Sequence, residues 1–348
     1  MTKIFITGGA GYLGKAIMKF GHEYWPDAEY TVYSRDEPKH VHAKAIFPDT
    51  QFIIGDILDL TLLKESMKGH EIVIHAAAFK YVPQAEINPW VASKINIDGS
   101  RNVIAAACSA KVDKVIGIST DKACQPVNVY GMTKLVMERL FMQANEWGNP
   151  EPKRVAADGT KFNVVRYGNV VASTGSVIPI FREQIRKNRE VLITDLAMTR
   201  FWLSIKDAVR LIAEATGAGP AILGGVDYGV IVIPHCAATS IEDVAKACVI
   251  LEDGSLLATP KGAKDSVIFR TTGARFGEKR HEEILTQLES RYAYDTNRAS
   301  WLLYPQTLET AYNPEAFGVY TSATPKHWIT PDEMAHMIRE AEKHESAT

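Results

Sequence analysis

The sequence predicts an α/β protein built on a doubly wound parallel sheet, with a smaller lobe made by the second half of the chain. Three observations carry this reading. Short apolar runs alternate with amphipathic segments through the first 168 residues. The runs are near-continuous rather than alternating, as in strands covered on both faces. A glycine cluster follows the first run and opens the first helical pattern, which is the strand–turn–helix order of a Rossmann-type fold.

Taken in order, the strands expected are KIFIT (3–7), EYTVYS (29–34), QFIIG (51–55), EIVIHAA (71–77), KVIGIS (114–119) and KFNVVRY (161–167). Amphipathic segments such as LTLLKESMKG and NIDGSRNVIAAACSAKV lie between them. Residues 148–160, GNPEPKRVAADGT, read as a polar surface excursion. Beyond residue 168 the pattern is less regular, with helical runs near 176–188, 204–216, 240–252 and 278–292. These form a lobe over the open end of the sheet, where such folds bind ligands.

The bulk composition excludes several function classes. A chain of 348 residues can bury a large core. Its net charge of -2 argues against a dedicated nucleic-acid binder, which needs concentrated positive charge. Cys108, Cys124, Cys236 and Cys248 show no CxxC spacing, so neither a metal site nor a disulfide framework is expected. The N-terminus has too short an apolar run for a signal peptide. The stretch GAGPAILGGVDYGVIVIPHCAATS is broken by Asp227, glycines and prolines, and reads as strand and turn rather than a membrane span. A cytoplasmic protein is expected.

ITGGAGYLGKAI sets Gly8, Gly11 and Gly14 directly after the first strand. Glycine there allows a tight turn, close approach of backbone to a pyrophosphate, and close helix–strand packing. Tyr12 and Leu13 complete the turn as candidate cofactor contacts. After the second strand come Ser34, Arg35 and Asp36. A guanidinium at this tip suits a 2′-phosphate, so NADP is favoured, with NAD possible through Asp36. Asp56 and Ile57 follow the third strand and are candidates for the adenine. Ala76, Ala77 and Ala78 end the fourth strand with small side chains that let a cofactor lie against the backbone. His75 reads as a packed strand residue, and no metal is expected.

Tyr130 and Lys134 stand four apart in YGMTKLVMERLFMQANEW, so they share one helical face. An ammonium beside a phenol favours the phenolate, and a shift of about three pKa units is worth roughly 4 kcal/mol. Tyr130 is thus a candidate proton acceptor, and Lys134 a candidate both to lower its pKa and to hold a nicotinamide ribose. The boundaries expected are 1–168 for an NADP-binding Rossmann domain with a later return near 203–235, and 169–202 with 236–348 for a substrate-binding lobe.

The chain resembles the extended short-chain dehydrogenase/reductases, and within them the polysaccharide-biosynthesis group typified by inverting UDP-N-acetylglucosamine 4,6-dehydratases. The resemblance lies in ITGGAGYLG (with GxxGxxG spacing), YSRDE, HAAAFKYVPQAEINP, STDKACQPVNVYGMTK, VVRYGNVVASTGSVIP, MTRFWLS and TGARFGEKRHEE, which run in the family's order over residues 4–283. It implies oxidation of a sugar C4 hydroxyl, removal of the C5 proton with loss of the C6 hydroxyl as water, and hydride return to C6. It implies Asp121 as acid and Lys122 as base. Lys122 must be neutral to act so, by desolvation or a nearby positive charge. Side chains adjacent on an extended strand diverge, so the pair needs a turn, which Cys124 and Pro126 make plausible.

The resemblance also implies a hydrogen bond from Thr120 to the C4 oxygen, and Lys80 near the substrate. Asn169, Arg200, Arg275 and Glu278 would bind the sugar, diphosphate and nucleoside of a UDP-linked substrate. Trp90 and Trp202 read as packing residues. Departures from the family pattern are Phe276 where proline is common, the stretched GGVDYGVIVIP run, and the 148–160 excursion. Family members commonly form homo-oligomers, and no membrane or nucleic-acid partner is implied. Alternatives are a 4-epimerase, which needs no acid for a C6 leaving group, a UDP-sugar 5,6-dehydratase, and a non-catalytic NADP-binding sensor.

Overall fold

In a computed structural model, residues 1–147, 159–173, 175–218, 228–254, 267–296, 300–304 and 318–346 are described. The chain divides into two compact units. The first comprises Met1–Tyr167, Lys206–His235 and Ile284–Val319, and the second Gly168–Ile205, Cys236–Glu283 and Tyr320–Thr348. Ala293–Asp295 and Ser300–Leu303 therefore belong with the sheet and not, as expected, with the smaller lobe.

Six parallel strands form the heart of the first unit: β1 (Lys3–Thr7), β2 (Glu29–Ser34), β3 (Gln51–Ile54), β4 (Ile72–His75), β5 (Lys114–Thr120) and β6 (Lys161–Tyr167). Their order is β3-β2-β1-β4-β5-β6, the doubly wound arrangement with its crevice between β1 and β4. Ile231–Pro234 adds a parallel strand beside β6, and Ser300–Leu303 and Ala293–Asp295 close the edge antiparallel. Ile4, Phe5, Ile6, Val73, Ile74, Val115 and Ile116 are buried, as the near-continuous apolar runs require.

The helices that matter for the site are α1 (Tyr12–Phe20), α2 (Glu37–Ile46), α3 (Leu60–Met67), α4 (Val82–Ile87), α5 (Pro89–Ser93), α6 (Gly99–Ala110) and α7 (Val129–Trp147). A single π-helical turn, Lys94–Asp98, joins α5 to α6. Trp90 on α5 is 77% exposed, contrary to the packing role expected, whereas Trp202 is buried.

In the second unit, helices Val177–Asn188, Ile241–Asp253 and Pro331–Ser346 surround a core that includes Phe181, Ile185, Val244, Cys248, Met334 and Ile338. Strands Asn169–Val170, Thr199–Leu203 and Ala237–Ser240 form one small sheet, and Glu190–Ile193 pairs with Ile268–Thr271. The helix expected over 278–292 is absent. Glu283–Leu285 is a strand and Glu289–Tyr292 a single 3-10 turn. Ile284 and Leu285 point to opposite sides of this strand and are both fully buried. The excursion expected at 148–160 falls largely outside the described residues. Among those residues no helix is long and apolar enough to cross a membrane, and all four cysteines are free thiols.

Candidate active site

Strand β5 ends at Thr120 in extended conformation, and Asp121–Ala123 immediately wind into one 3-10 turn. This is the bend that the Asp121–Lys122 pair needs. Thr120 Oγ1 accepts from the Lys122 backbone N–H at 3.3 Å and donates to Asp121 Oδ1 at 3.0 Å. Lys122 Nζ also donates to Asp121 Oδ1 at 3.0 Å. Asp121 is fully buried and Lys122 is 18% exposed. The second carboxylate oxygen, Asp121 Oδ2, is buried with no hydrogen-bond partner among the described residues.

Helix α7 starts six residues later, with Asn128 Oδ1 accepting from Gly131 N at 2.8 Å and Glu86 Oε1 from Val129 N at 2.6 Å. These contacts satisfy N–H groups that a helix start leaves unpaired. Gly131 is required by proximity: a Cβ there would lie 2.1 Å from the Lys122 carbonyl oxygen. The absent side chain lets the helix press against the turn, bringing Tyr130 to Thr120, Asp121 and Lys122.

Tyr130 and Lys134 share a helical face as expected, but their electrostatics differ from the expectation. Burial pushes the Tyr130 phenol above its ordinary pKa, opposed by the Lys122 charge and a hydrogen bond with Thr120. The cation that acts on the phenol is Lys122 rather than Lys134. Lys134 is only 3% exposed. Its burial brings the ammonium down to about 8, with the Glu138 carboxylate opposing the fall. Desolvation outweighs the pair attraction that spacing alone suggests. His75 is packed, as read: Nδ1 meets Thr7 Oγ1 at 2.8 Å, Nε2 meets Ser100 Oγ at 3.1 Å, and burial lowers its pKa to about 3.

Two contributors escaped the sequence reading. Asn96, in the π-turn, accepts from Phe79 N at 2.7 Å and donates to Phe79 O at 3.0 Å and Thr133 Oγ1 at 2.9 Å. It ties the loop before Lys80 to α7; a π-turn is not legible as a periodicity. Arg166, inside the quoted VVRYGNV, is fully buried and bonded to Glu138 and Glu289. An arginine between Val165 and Tyr167 in a core strand was the signal for it.

The glycine turn fits a dinucleotide. Gly8 has φ +70°, and a Cβ on it would lie 2.8 Å from Ala77 Cα, so the turn and the alanine loop touch backbone to backbone. Gly11 caps α1 without a side-chain hydrogen bond, and Gly14 packs on Gly9, its Cβ position 2.2 Å from the Gly9 carbonyl. Donors at the start of α1 are thus reachable only past small groups, the condition for phosphate approach. Tyr12, Leu13, Ala76, Ala77 and Ala78 are half-buried along these loops.

At the tip of β2, Arg35 is 60% exposed and lies 3.3 Å from Asp56 Oδ2. Ser34 Oγ is engaged by His40 Nε2 at 2.5 Å. Asp36 is already engaged by its neighbours. It caps α2, accepting from Lys39 N at 3.1 Å, and pairs with Lys39 Nζ at 2.5 Å. Asp56 Oδ1 accepts from Leu58 N at 2.9 Å. Ile57 is buried against Gly99, and its carbonyl accepts from Asn102. Lys80 is exposed, its Nζ 5.5 Å from the Tyr81 ring centroid.

Asn169, Arg200, Arg275 and Glu278 belong to the second unit. Asn169 Nδ2 donates to Phe201 O at 3.2 Å. The Arg200 guanidinium, expected to be open to a diphosphate, is 11% exposed. It donates to Thr199 O at 2.7 Å and Arg280 O at 3.2 Å, and lies 3.8 Å from Glu282 Oε1. Arg275 is exposed in a turn closed by its own N–H to Glu278 Oε2 at 3.2 Å.

Residues 4–302 match the family described as polysaccharide biosynthesis protein. A UDP-N-acetylglucosamine 4,6-dehydratase (inverting) from Campylobacter jejuni is 38% identical over 296 residues, which is 84% of this chain and 80% of that protein. A UDP-glucose 4-epimerase from Rickettsia bellii is 37% identical over 297 residues, again 84% of this chain and 80% of the relative. The X-ray structure of Pen from Bacillus thuringiensis matches with a TM-score of 0.82 at 30% identity, covering 97% of this chain and 98% of that one.

Proposed function

Because the chain belongs to the polysaccharide biosynthesis family of extended short-chain dehydrogenase/reductases, we propose that it is a nucleotide-sugar 4,6-dehydratase acting with NADP on UDP-N-acetylglucosamine. One observation carries the reading: the buried Asp121 carboxylate and the Lys122 amine meet at 3.0 Å beside Thr120 and Tyr130. Oxidation and reduction need only the tyrosine and lysine of α7; elimination needs a further acid and base.

A bound nicotinamide would supply hydride removal at sugar C4 and hydride return at C6. Tyr130 Oη, as the phenolate that the Lys122 charge and the Thr120 hydrogen bond favour, takes the proton of the C4 hydroxyl. Lys122 is a base at C5 only when neutral, and Asp121 an acid at the C6 oxygen only when protonated. Their mutual hydrogen bond lets one proton meet both conditions. Moved from Nζ to Oδ1, it leaves an amine and a carboxylic acid, the neutral forms that burial favours. Lys122 then takes the C5 proton, the C5–C6 double bond forms, and the C6–O bond breaks as Asp121 gives its proton to the leaving water. When C6 is reduced, Lys122 returns its proton to C5. Asp121 now lacks one proton and Tyr130 holds one extra. Thr120, hydrogen-bonded to Tyr130 and donating to Asp121 Oδ1, is the bridge along which that proton resets both groups.

The capping of α2 by Asp36 and the exposed Arg35 support NADP over NAD. Four free thiols suit a reducing cytoplasm. The second reading, a 4-epimerase, is favoured by the similarity to epimerases, but an epimerase has no work for the buried acid–amine pair. Incubation with UDP-N-acetylglucosamine, read by mass spectrometry, should give a product lighter by one water. A product of unchanged mass would replace this reading by the epimerase. Lys122→Ala should abolish water loss; turnover near the wild-type rate would remove Lys122 as the base.

A further inference from the structure

Beneath the candidate active site lies a buried ionic cluster that the proposed reaction does not use. Arg166 on β6 donates to Glu138 through Nε at 2.9 Å and Nη2 at 2.7 Å, and to Glu289 through Nη1 at 3.0 Å and Nη2 at 2.8 Å. Its Nη1 also reaches Ile284 O at 3.1 Å. Arg166 and Glu138 are fully buried and Glu289 is 12% exposed. The cluster grips the catalytic segment at two further points. Ser119 Oγ, one residue before Thr120, donates to Glu138 Oε1 at 2.6 Å. Cys124 Sγ, closing the Asp121 turn, lies 3.7 Å from Glu289 Oε2.

One guanidinium is bonded to two buried carboxylates, and the more exposed Arg139 adds its charge on the Glu289 side. Burying unbalanced charge is costly, and breaking such a cluster costs more than it would cost to replace it with apolar groups. On the Glu138 side the nearby cation is Lys134, four residues before Glu138 on the same face of α7. We propose that Glu138, clamped by Arg166, is a positioning residue that keeps Lys134 charged in the folded protein and ties it to the Asp121–Lys122 turn. The inference rests on the reading of Lys134 as the lysine that holds the nicotinamide ribose.

The buried and half-buried titratable groups on elements packed around Lys134 are His75 on β4, Lys114 on β5, Asp121 and Lys122 on the turn, Tyr130 and Glu138 on α7, and Lys161, Arg166 and Tyr167 on β6, while Arg139 on α7 is exposed. Glu86, Lys94, Asp98 and Arg101 lie toward the surface. His75 is neutral at physiological pH, and Asp121 is bonded to Lys122. Glu138 is the carboxylate that supports the Lys134 charge.

The test is a lysine titration that needs no turnover. In protein carrying 13C at lysine Cε, the Lys134 signal, assigned by its loss in Lys134→Arg, is followed by NMR against pH. Glu138→Gln should move its midpoint down by about one pH unit or more, since a buried opposite charge has been removed. Glu289→Gln changes a more accessible group two links away and should move it down by a smaller amount, so the test survives if Glu138→Gln does not fold. The alkaline loss of activity should follow the same shift, because the charged form exists below the midpoint. An unmoved or raised Lys134 midpoint in a folded variant overturns the proposal. If no nucleotide sugar loses water, the activity reading falls while the titration still decides this one.

Discussion

Gly131→Ala tests whether the site is assembled by the contact of α7 with the Asp121 turn. In an ordinary exposed helix this change stabilises, by about 1 kcal/mol, because alanine is the better helix former. Here the added Cβ would sit 2.1 Å from the Lys122 carbonyl oxygen, against the 3.4 Å of ordinary contact, so turn and helix must part by about 1.3 Å. Overpacking of this kind costs about 1–3 kcal/mol, which outweighs the gain in propensity. The larger effect is kinetic. The parting separates Lys122 and Asp121 from Tyr130, and a misplacement of about 1 Å can cost about 100-fold in rate. The assay is steady-state release of the dehydrated sugar nucleotide, with circular dichroism melting to show that the variant is folded. A fall in kcat of about 100-fold in a folded protein is expected, with a Tm lower by a few degrees. Turnover within about threefold of wild type at unchanged Tm would refute the idea that this contact organises the chemistry.

Three further outcomes follow from the geometry. Gly8→Ala forces a side chain into φ +70° against Ala77, so dinucleotide binding measured by calorimetry should be lost while the far-ultraviolet spectrum is retained. Arg35→Ala should weaken NADP by about tenfold or more and leave NAD nearly unchanged, as expected for loss of a guanidinium–phosphate contact; equal weakening of both would exclude a 2′-phosphate role. Burial works to raise the Glu289 carboxyl, but Arg166 overcomes it and takes the pKa to about 2 from 4.5. A depressed acid contributes stability above its unfolded pKa and loses it as pH falls through the folded value. Glu289→Gln should therefore cost about 3 kcal/mol at neutral pH, about 4 °C in Tm, with the gap closing between pH about 4.5 and 2.

Most of the sheet was legible because parallel strands buried on both faces leave an unbroken apolar signature. β1, β2 and β6 coincide with their expected bounds, and β5 extends by one residue to Thr120. Glycines were legible for a related reason: Gly8, Gly11 and Gly14 are set by backbone approach, a local demand that admits one residue type. The convergence of Asp121 and Lys122 was visible only as a requirement, since a single 3-10 turn leaves no period to detect. The region after residue 278 failed because its order comes from distant partners. Glu289 sits where Arg166 holds it, 123 positions away, and no local propensity encodes that.

The electrostatics mark the sharper limit. Four-residue spacing correctly implies that Tyr130 and Lys134 share a face, yet it carries no information on how much water each has lost. Spacing supplies a Coulomb attraction; burial supplies an opposing cost that grows as both groups leave solvent. With Lys134 buried to 3% exposure and drawn down to about 8, the cost has consumed much of its advantage, and the phenol rises instead of falling. The cation left to act on Tyr130 is Lys122, which is itself bonded to Asp121. The acidity of the tyrosine is then coupled to the same proton that decides whether Lys122 is a base. Asp121→Asn tests this coupling: without the carboxylate that raises Tyr130, and with the Lys122 charge no longer offset by it, the phenol should titrate at lower pH. Ultraviolet difference titration against a Tyr130→Phe control reads it, and a Tyr130 midpoint unchanged in folded Asp121→Asn would show that the two proton sites act independently.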